Sequence, residues 1–295
     1  MKDFLLRGFI ATASRLPLRL ARLLGRLLGD IAWYCNIRET ALTRVNIALC
    51  WPTMSAAEQV RLARASLRHW GMTIFEVPII WRKGRGALDL IGTVHGAEAM
   101  ARQLASGRGT IMLSPHLGNW ELAGLWASSH GPTTILYQPP KQESVEKLVR
   151  TGRGKAGATL VPTNLRGVTA LIKALKKGEI TGILPDMVPD LSGGVVAPFF
   201  GHPAFTMTLI HSLQQRSGAG ILLAFAQRTT GGFDIHVLEP DDDIYSTSPE
   251  ESAAALNRLV EQSVLIAPEQ YQWEYKRFRD VAEGQPAVYP KREKQ

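Results

Sequence analysis

The segment SPHLGNWELAG, residues 114–124, sets a histidine, His116, five positions before a carboxylate, Glu121, among residues that break regular structure (Pro115, Gly118, Asn119). Five residues of helix turn a side chain by about 140°, so the two cannot meet if both lie mid-helix. With GTIMLS as a strand, 115–118 as the turn and Asn119 as N-cap, Glu121 falls in the first helical turn and His116 on the loop facing it. The helix dipole there favours an ionised carboxylate, which can hold one ring nitrogen and leave the other as a base. No nucleophilic third member stands nearby, so such a pair suits direct activation of a substrate hydroxyl. The same residues also fit a loop histidine bonded to backbone beside a capping glutamate.

The elements that would position this pair read as an α/β chain. Ser55-x-x-Glu58 is a capping box opening an amphipathic helix over roughly 56–80. Strands are expected at Thr110–Ser114, Thr133–Tyr137, Thr159–Val161, Ile180–Leu184, Ile221–Gln227 and Phe233–Leu238. Helices are expected near 97–106, 120–129, 142–156, 166–177, 205–216 and 249–266. That alternation predicts a mixed, mostly parallel sheet flanked by helices, with ligand sites beyond the carboxyl ends of its strands. His116 falls at one such end.

The chain has 295 residues, 45% of them hydrophobic, and a net charge of +8. Residues 1–50 carry eight Lys/Arg against three Asp/Glu, so much of the positive charge lies in this N-terminal stretch. Within it, Arg15, Arg19, Arg22 and Arg26 keep to one helical stripe while Leu16, Leu20, Leu23, Leu24, Leu27 and Leu28 fill another face. Two arrangements suit this pattern: an amphipathic arm lying in an anionic membrane surface, or a helix docked on its own domain with its arginines in water. The arm is taken as residues 1–50 and the remaining domain as 51–295. Arginines interrupt every apolar run before it reaches the roughly 18 residues of a spanning helix, and the start lacks the pattern of a secretory signal. Two cysteines without paired spacing favour a reducing compartment. Charge confined to one amphipathic segment, without interleaved aromatics, disfavours a basic protein that binds nucleic acid. The other histidines, such as His202 in FFGHPAF, show no ligand spacing, so no metal is expected.

HLGNWE resembles the H-x4-D/E motif of glycerolipid-type acyltransferases, in the form typical of the lipid A biosynthesis lauroyl/myristoyl acyltransferases. NIALCWP (46–52), LKKGEITGILPD with GGVVAPFFGHPAFTMT, and PEQYQWEYKRFR resemble further blocks of that family in order. The resemblance implies transfer of a fatty acyl chain from an acyl carrier protein thioester to a hydroxyl of a lipid A precursor, without a covalent enzyme intermediate or a cofactor. It implies His116 as base and Glu121 as its carboxylate, and it implies work at the cytoplasmic face of the bacterial inner membrane, with a peripheral or interfacial attachment. Backbone N–H groups of 117–119 are the expected oxyanion donors. Arg153, aligned with a family arginine, is the expected phosphate fork, with Arg166 next and Arg150 and Lys155 assisting. Asp186 and Asn119 complete the expected substrate contacts. The sequence departs from the family at Gln138, where an arginine is common, and at Glu274, which interrupts a W-x-H-x-R-like segment. A glycerolipid or another glycolipid is therefore the alternative acceptor.

Overall fold

The computed structural model describes residues 2–137, 154, 157–279, 288 and 289. Its centre is a seven-stranded sheet of order β1-β9-β8-β2-β5-β3-β4. The strands are β1 (Ile91–His95), β2 (Thr110–Leu113), β3 (Thr133–Tyr137), β4 (Ala158–Pro162), β5 (Ile180–Ile183), β8 (Gly220–Arg228) and β9 (Phe233–Leu238). All pairings are parallel except β8 with β9. The mixed, mostly parallel α/β sheet read from the sequence is thus the fold. Successive residues of β2 and β8 alternate between two cores, as the two-residue period of a strand requires. Ile111, Leu113, Ile221, Leu223 and Phe225 face one side, and Met112, Leu222, Ala224 and Ala226 the other. α7 (Leu165–Lys176), α8 (Leu209–Ser217) and α9 (Pro249–Ile266) cover the first face, while α5 (Ala97–Ala105) and α6 (Trp120–Ser128) cover the second.

Two expectations are corrected here. The helix placed at 205–216 begins at Leu209, because Phe205 belongs to a hairpin of β6 (Gly194–Phe199) and β7 (His202–Met207) and pairs with Val196. Positive φ at Phe200 and Gly201 reverses the chain between those strands. The strand β1, at the sheet edge, has no counterpart in the sequence reading. The helix placed near 142–156 lies outside the described residues, Gly154 aside.

The N-terminal region forms α1 (Lys2–Ala13), α2 (Leu18–Tyr34) and α3 (Arg38–Cys50), which precede the long α4 (Ala56–Lys83). Ser55 caps α4 with the expected box: its hydroxyl accepts from Glu58 N–H, and Glu58 accepts from Ser55 N–H. α2 crosses α4 with its backbone almost in contact. A Cβ added to Gly71 would lie 2.1 Å from Gly25 O, and one added to Gly25 would lie 2.4 Å from Met72 Cα. The buried face of α2 is therefore Ala21, Arg22, Gly25, Gly29 and Ala32. Arg22 leaves the expected basic stripe and turns inward to Glu76 on α4, 2.7 Å away. The leucines face outward instead: Leu20, Leu23, Leu27, Ile31 and Tyr34 are exposed, Leu23 by 52% and Tyr34 by 72%. Arg15, Arg19 and Arg26 are exposed along the edge of that face. Small residues let the backbones approach, and the large ones have no room on that side. The helix docks on the domain through its small residues and Arg22, and its leucine face and remaining arginines look out.

A side chain at the crossing has backbone on the far side and nowhere to move. Gly71→Val is expected to destabilise the protein by about 3 kcal/mol or more in denaturant unfolding, whereas Gly8→Ala, inside α1 where an added Cβ meets nothing within 4 Å, should not lower the midpoint and raises it to the extent that alanine favours the helix.

Candidate active site

β2 and β5 run side by side in parallel, with Leu113 opposite Ile183. His116 lies three residues beyond Leu113 and Asp186 three beyond Ile183, so the register brings the two loops to one place. Asp186 grips the histidine twice: Oδ2 accepts from His116 N–H and Oδ1 sits on Nδ1, both at 2.9 Å. A carboxylate on Nδ1 holds the proton there and leaves Nε2 as the basic nitrogen. Asp186 is 4% exposed. Burial works to raise its pKa, but the charge and hydrogen bonds of His116 outweigh it and hold the carboxyl below its usual range. The ring partner is therefore Asp186, expected from the sequence as a substrate contact, and not Glu121.

Glu121 is in the first turn of α6 as expected, and its carboxylate accepts from the Trp81 indole N–H at 2.9 Å. Both residues line an apolar cavity of about 270 Å³ that also takes in Ile80, Leu125, Ile135 and Ile183. Trp120, on the same wall, packs against the His116 ring with centroids 4.9 Å apart. The histidine thus stands, through Trp120, beside this apolar cavity.

The turn between them is held on every side. Leu117 N–H donates to Pro115 O, Gly118 N–H to Gln270 O and Asn119 N–H to Ala226 O, at 2.7, 3.0 and 2.8 Å. These three N–H groups are committed to protein carbonyls, which removes them as the expected oxyanion donors. Gly118 has φ +60°, and a Cβ there would lie 2.0 Å from Ala226 O, so glycine is required on both grounds. Asn119 is fully buried; its oxygen caps α6 through Leu122 N–H at 3.1 Å and its amide donates to Glu76 at 3.3 Å. It shapes the turn and is closed to a ligand, contrary to expectation. Arg166 is exposed in the first turn of α7, away from the cavity wall. Arg153, Arg150, Lys155 and Gln138 lie outside the described residues.

Sequence reasoning missed Glu76, although a lone acid in the run TIFEVPII is a visible signal. It is fully buried and pairs with Arg22 and with Arg228 of β8, each at 2.7 Å. The closing segment is tied in from elsewhere. Asn46 Nδ2 donates to Trp273 O and Tyr275 O, Arg277 donates to Phe205 O and to Asn257, and Gln272 N–H donates to His116 O at 2.9 Å. Glu274 sits within this clamp, buried, with neither carboxylate oxygen hydrogen-bonded. Burial pushes its pKa up to about 8. No group of three or more His, Cys, Asp or Glu among the described residues has the arrangement of a metal site.

Residues 1–280 match the family model of bacterial lipid A biosynthesis acyltransferases. The chain is 28% identical over 279 residues to the lipid A biosynthesis palmitoleoyltransferase of Escherichia coli K12, covering 93% of this chain and 90% of that one. It is 27% identical over 289 residues to the lipid A biosynthesis lauroyltransferase of the same organism, covering 96% and 92%. A phosphatidylinositol mannoside acyltransferase of Mycobacterium tuberculosis H37Rv is 29% identical over 190 residues, covering 61% and 58%.

The buried acid in the clamp gives a pH test. A folded-state pKa of about 8 against about 4.3 in the unfolded chain means that the folded state holds the extra proton between those values. Stability is then greatest below that window and falls as pH rises through it. Glu274→Gln is expected to flatten this decline, so that denaturant midpoints for the two proteins agree near pH 5 and the variant is the more stable at pH 8.

Proposed function

This chain belongs to the bacterial lipid A biosynthesis acyltransferase family, and on that premise we propose that it moves a fatty acyl chain from an acyl carrier protein thioester to a hydroxyl of a lipid A precursor. The observation that carries the reading is the His116–Asp186 pair beside an apolar cavity. The acyl chain lies in the cavity with its thioester carbonyl near the ring. Nε2 of His116 takes the proton of the acceptor hydroxyl as that oxygen attacks the carbonyl carbon. Collapse of the tetrahedral intermediate breaks the carbon–sulfur bond, and the imidazolium returns the proton to the departing thiolate. Asp186 fixes the ring and balances the imidazolium charge. Glu121, hydrogen-bonded to Trp81, lines the cavity in the first turn of α6. Arg153 remains the proposed phosphate fork, with Arg166 the second candidate. A glycolipid acceptor other than lipid A is the second reading, supported by the similarity to a phosphatidylinositol mannoside acyltransferase.

No helix among the described residues is long and apolar enough to cross a membrane. The outward leucines of α2, edged by Arg15, Arg19 and Arg26, suit a helix face lying in an anionic lipid surface at the cytoplasmic side of the inner membrane. Because Arg22 and Gly25 of the same helix are built into the core, this is tested by substitution and not by deletion.

Two experiments follow from the reading. His116→Ala is expected to lower kcat on the order of 10²- to 10⁴-fold, and Asp186→Asn to lower it strongly with little change in KM. Their combination should be scarcely worse than His116→Ala alone, because residues acting as one unit lose their effect together. Losses that multiply would separate Asp186 from the histidine's role. Replacing Leu20, Leu23 and Leu27 together by Glu should abolish sedimentation with vesicles containing anionic lipid, and high salt should reduce it in part. Undiminished binding by the triple variant would remove α2 from the membrane role.

A further inference from the structure

Gly124 is in the middle of α6, where glycine costs about 1 kcal/mol relative to alanine. The helix glycines at the α2–α4 crossing have a reason in the fold, since an added Cβ would strike backbone. Gly124 has none: a Cβ there meets nothing within 4 Å. It does line the cavity, on the helix face that also presents Trp120, Glu121, Leu125 and Ser128 to it. That face starts at the His116 turn and follows the cavity away from it. At 1.5 Å per residue, Gly124 is about 6 Å along the axis from Trp120, with Ser128 about as far again. The space a side chain would fill is thus part of the cavity, between its reacting end and its far end.

Resting on the acyl-transfer reading above, we propose that Gly124 determines the length of acyl chain this protein accepts, by keeping open the path past the first turn of α6. A methyl group at this position narrows the path and a larger side chain closes it, so the protein would favour shorter chains. Discrimination of one methylene in an apolar pocket is on the order of 10- to 200-fold, and one added methyl in the path acts on the same scale.

The test compares the unsubstituted protein with Gly124→Ala and Gly124→Leu. Transfer is measured from a graded series of saturated acyl carrier protein thioesters, and binding of free saturated fatty acids of the same lengths is followed by the fluorescence of Trp81 and Trp120, which line the cavity. The expected result is a fall of about tenfold or more in the ratio of long-chain to short-chain transfer for Gly124→Ala, a larger fall for Gly124→Leu, and a parallel loss of long-chain fatty acid binding. Alanine is the better helix former, so Gly124→Ala carries the test if the leucine variant fails to fold. An unchanged length profile in both transfer and binding overturns the proposal. If no thioester is a donor for the unsubstituted protein, yet fatty acids bind and the variants shorten their preferred length, the transfer reading fails and the role of Gly124 stands. If fatty acids of no length bind, the proposal fails with it.

Discussion

A single carboxylate, Glu76, holds the N-terminal helix, the sheet and the histidine-bearing turn to one another. It is fully buried on α4 and sits between Arg22 of α2 and Arg228 of β8. Two cations around one anion would be costly without further partners, and they have them: Arg22 also donates to Thr229 O and Gly232 O, and Arg228 to Thr73 Oγ1. The second carboxylate oxygen also accepts from Asn119, the residue that starts α6. Removing one member of such a buried pair costs roughly 3–5 kcal/mol, because the other charge is stranded. The position of the histidine-bearing turn is therefore coupled to the docking of α2.

That coupling explains why α2 is inside-out for a surface helix. Its inner face must be thin enough for the backbone to approach α4 and must carry one arginine long enough to reach Glu76. Alanine, glycine and Arg22 satisfy both requirements, and the large aliphatic residues are left on the outer side. The two faces of α2 thus differ in kind, one packed into the core and one an exposed apolar row.

His116 and its neighbours are held by rigid parts. His116 is gripped through ring and backbone by Asp186, its carbonyl accepts from Gln272, and its ring lies against Trp120. The turn that carries it is pinned to β8 and to the closing segment. A side chain held this way loses little entropy when a ligand arrives beside it. The N–H groups at 117–119 are spent on protein carbonyls, which fixes the turn and with it the place of His116.

The sequence by itself determined the alternating order of strands and helices, the capping box at Ser55, the N-cap at Asn119 and the place of His116 beyond a strand. Each is a local matter, decided by side-chain period or by one residue's bonds to its neighbours along the chain. Glu121 was legible as a first-turn acid for the same reason. Its carboxylate bonds to Trp81 instead, and the His116 ring is held by Asp186, seventy positions away in sequence. That meeting depends on β2 and β5 being neighbours with Leu113 opposite Ile183, and strand order is set by how the whole sheet packs. The direction of α2 was likewise beyond local reading. Its leucine and arginine stripes are plain in the sequence, but that the small residues and Arg22 face inward while the leucines face out was decided by Gly71 and Glu76 on another helix, since only tertiary packing brings a close backbone and a buried charge to meet them.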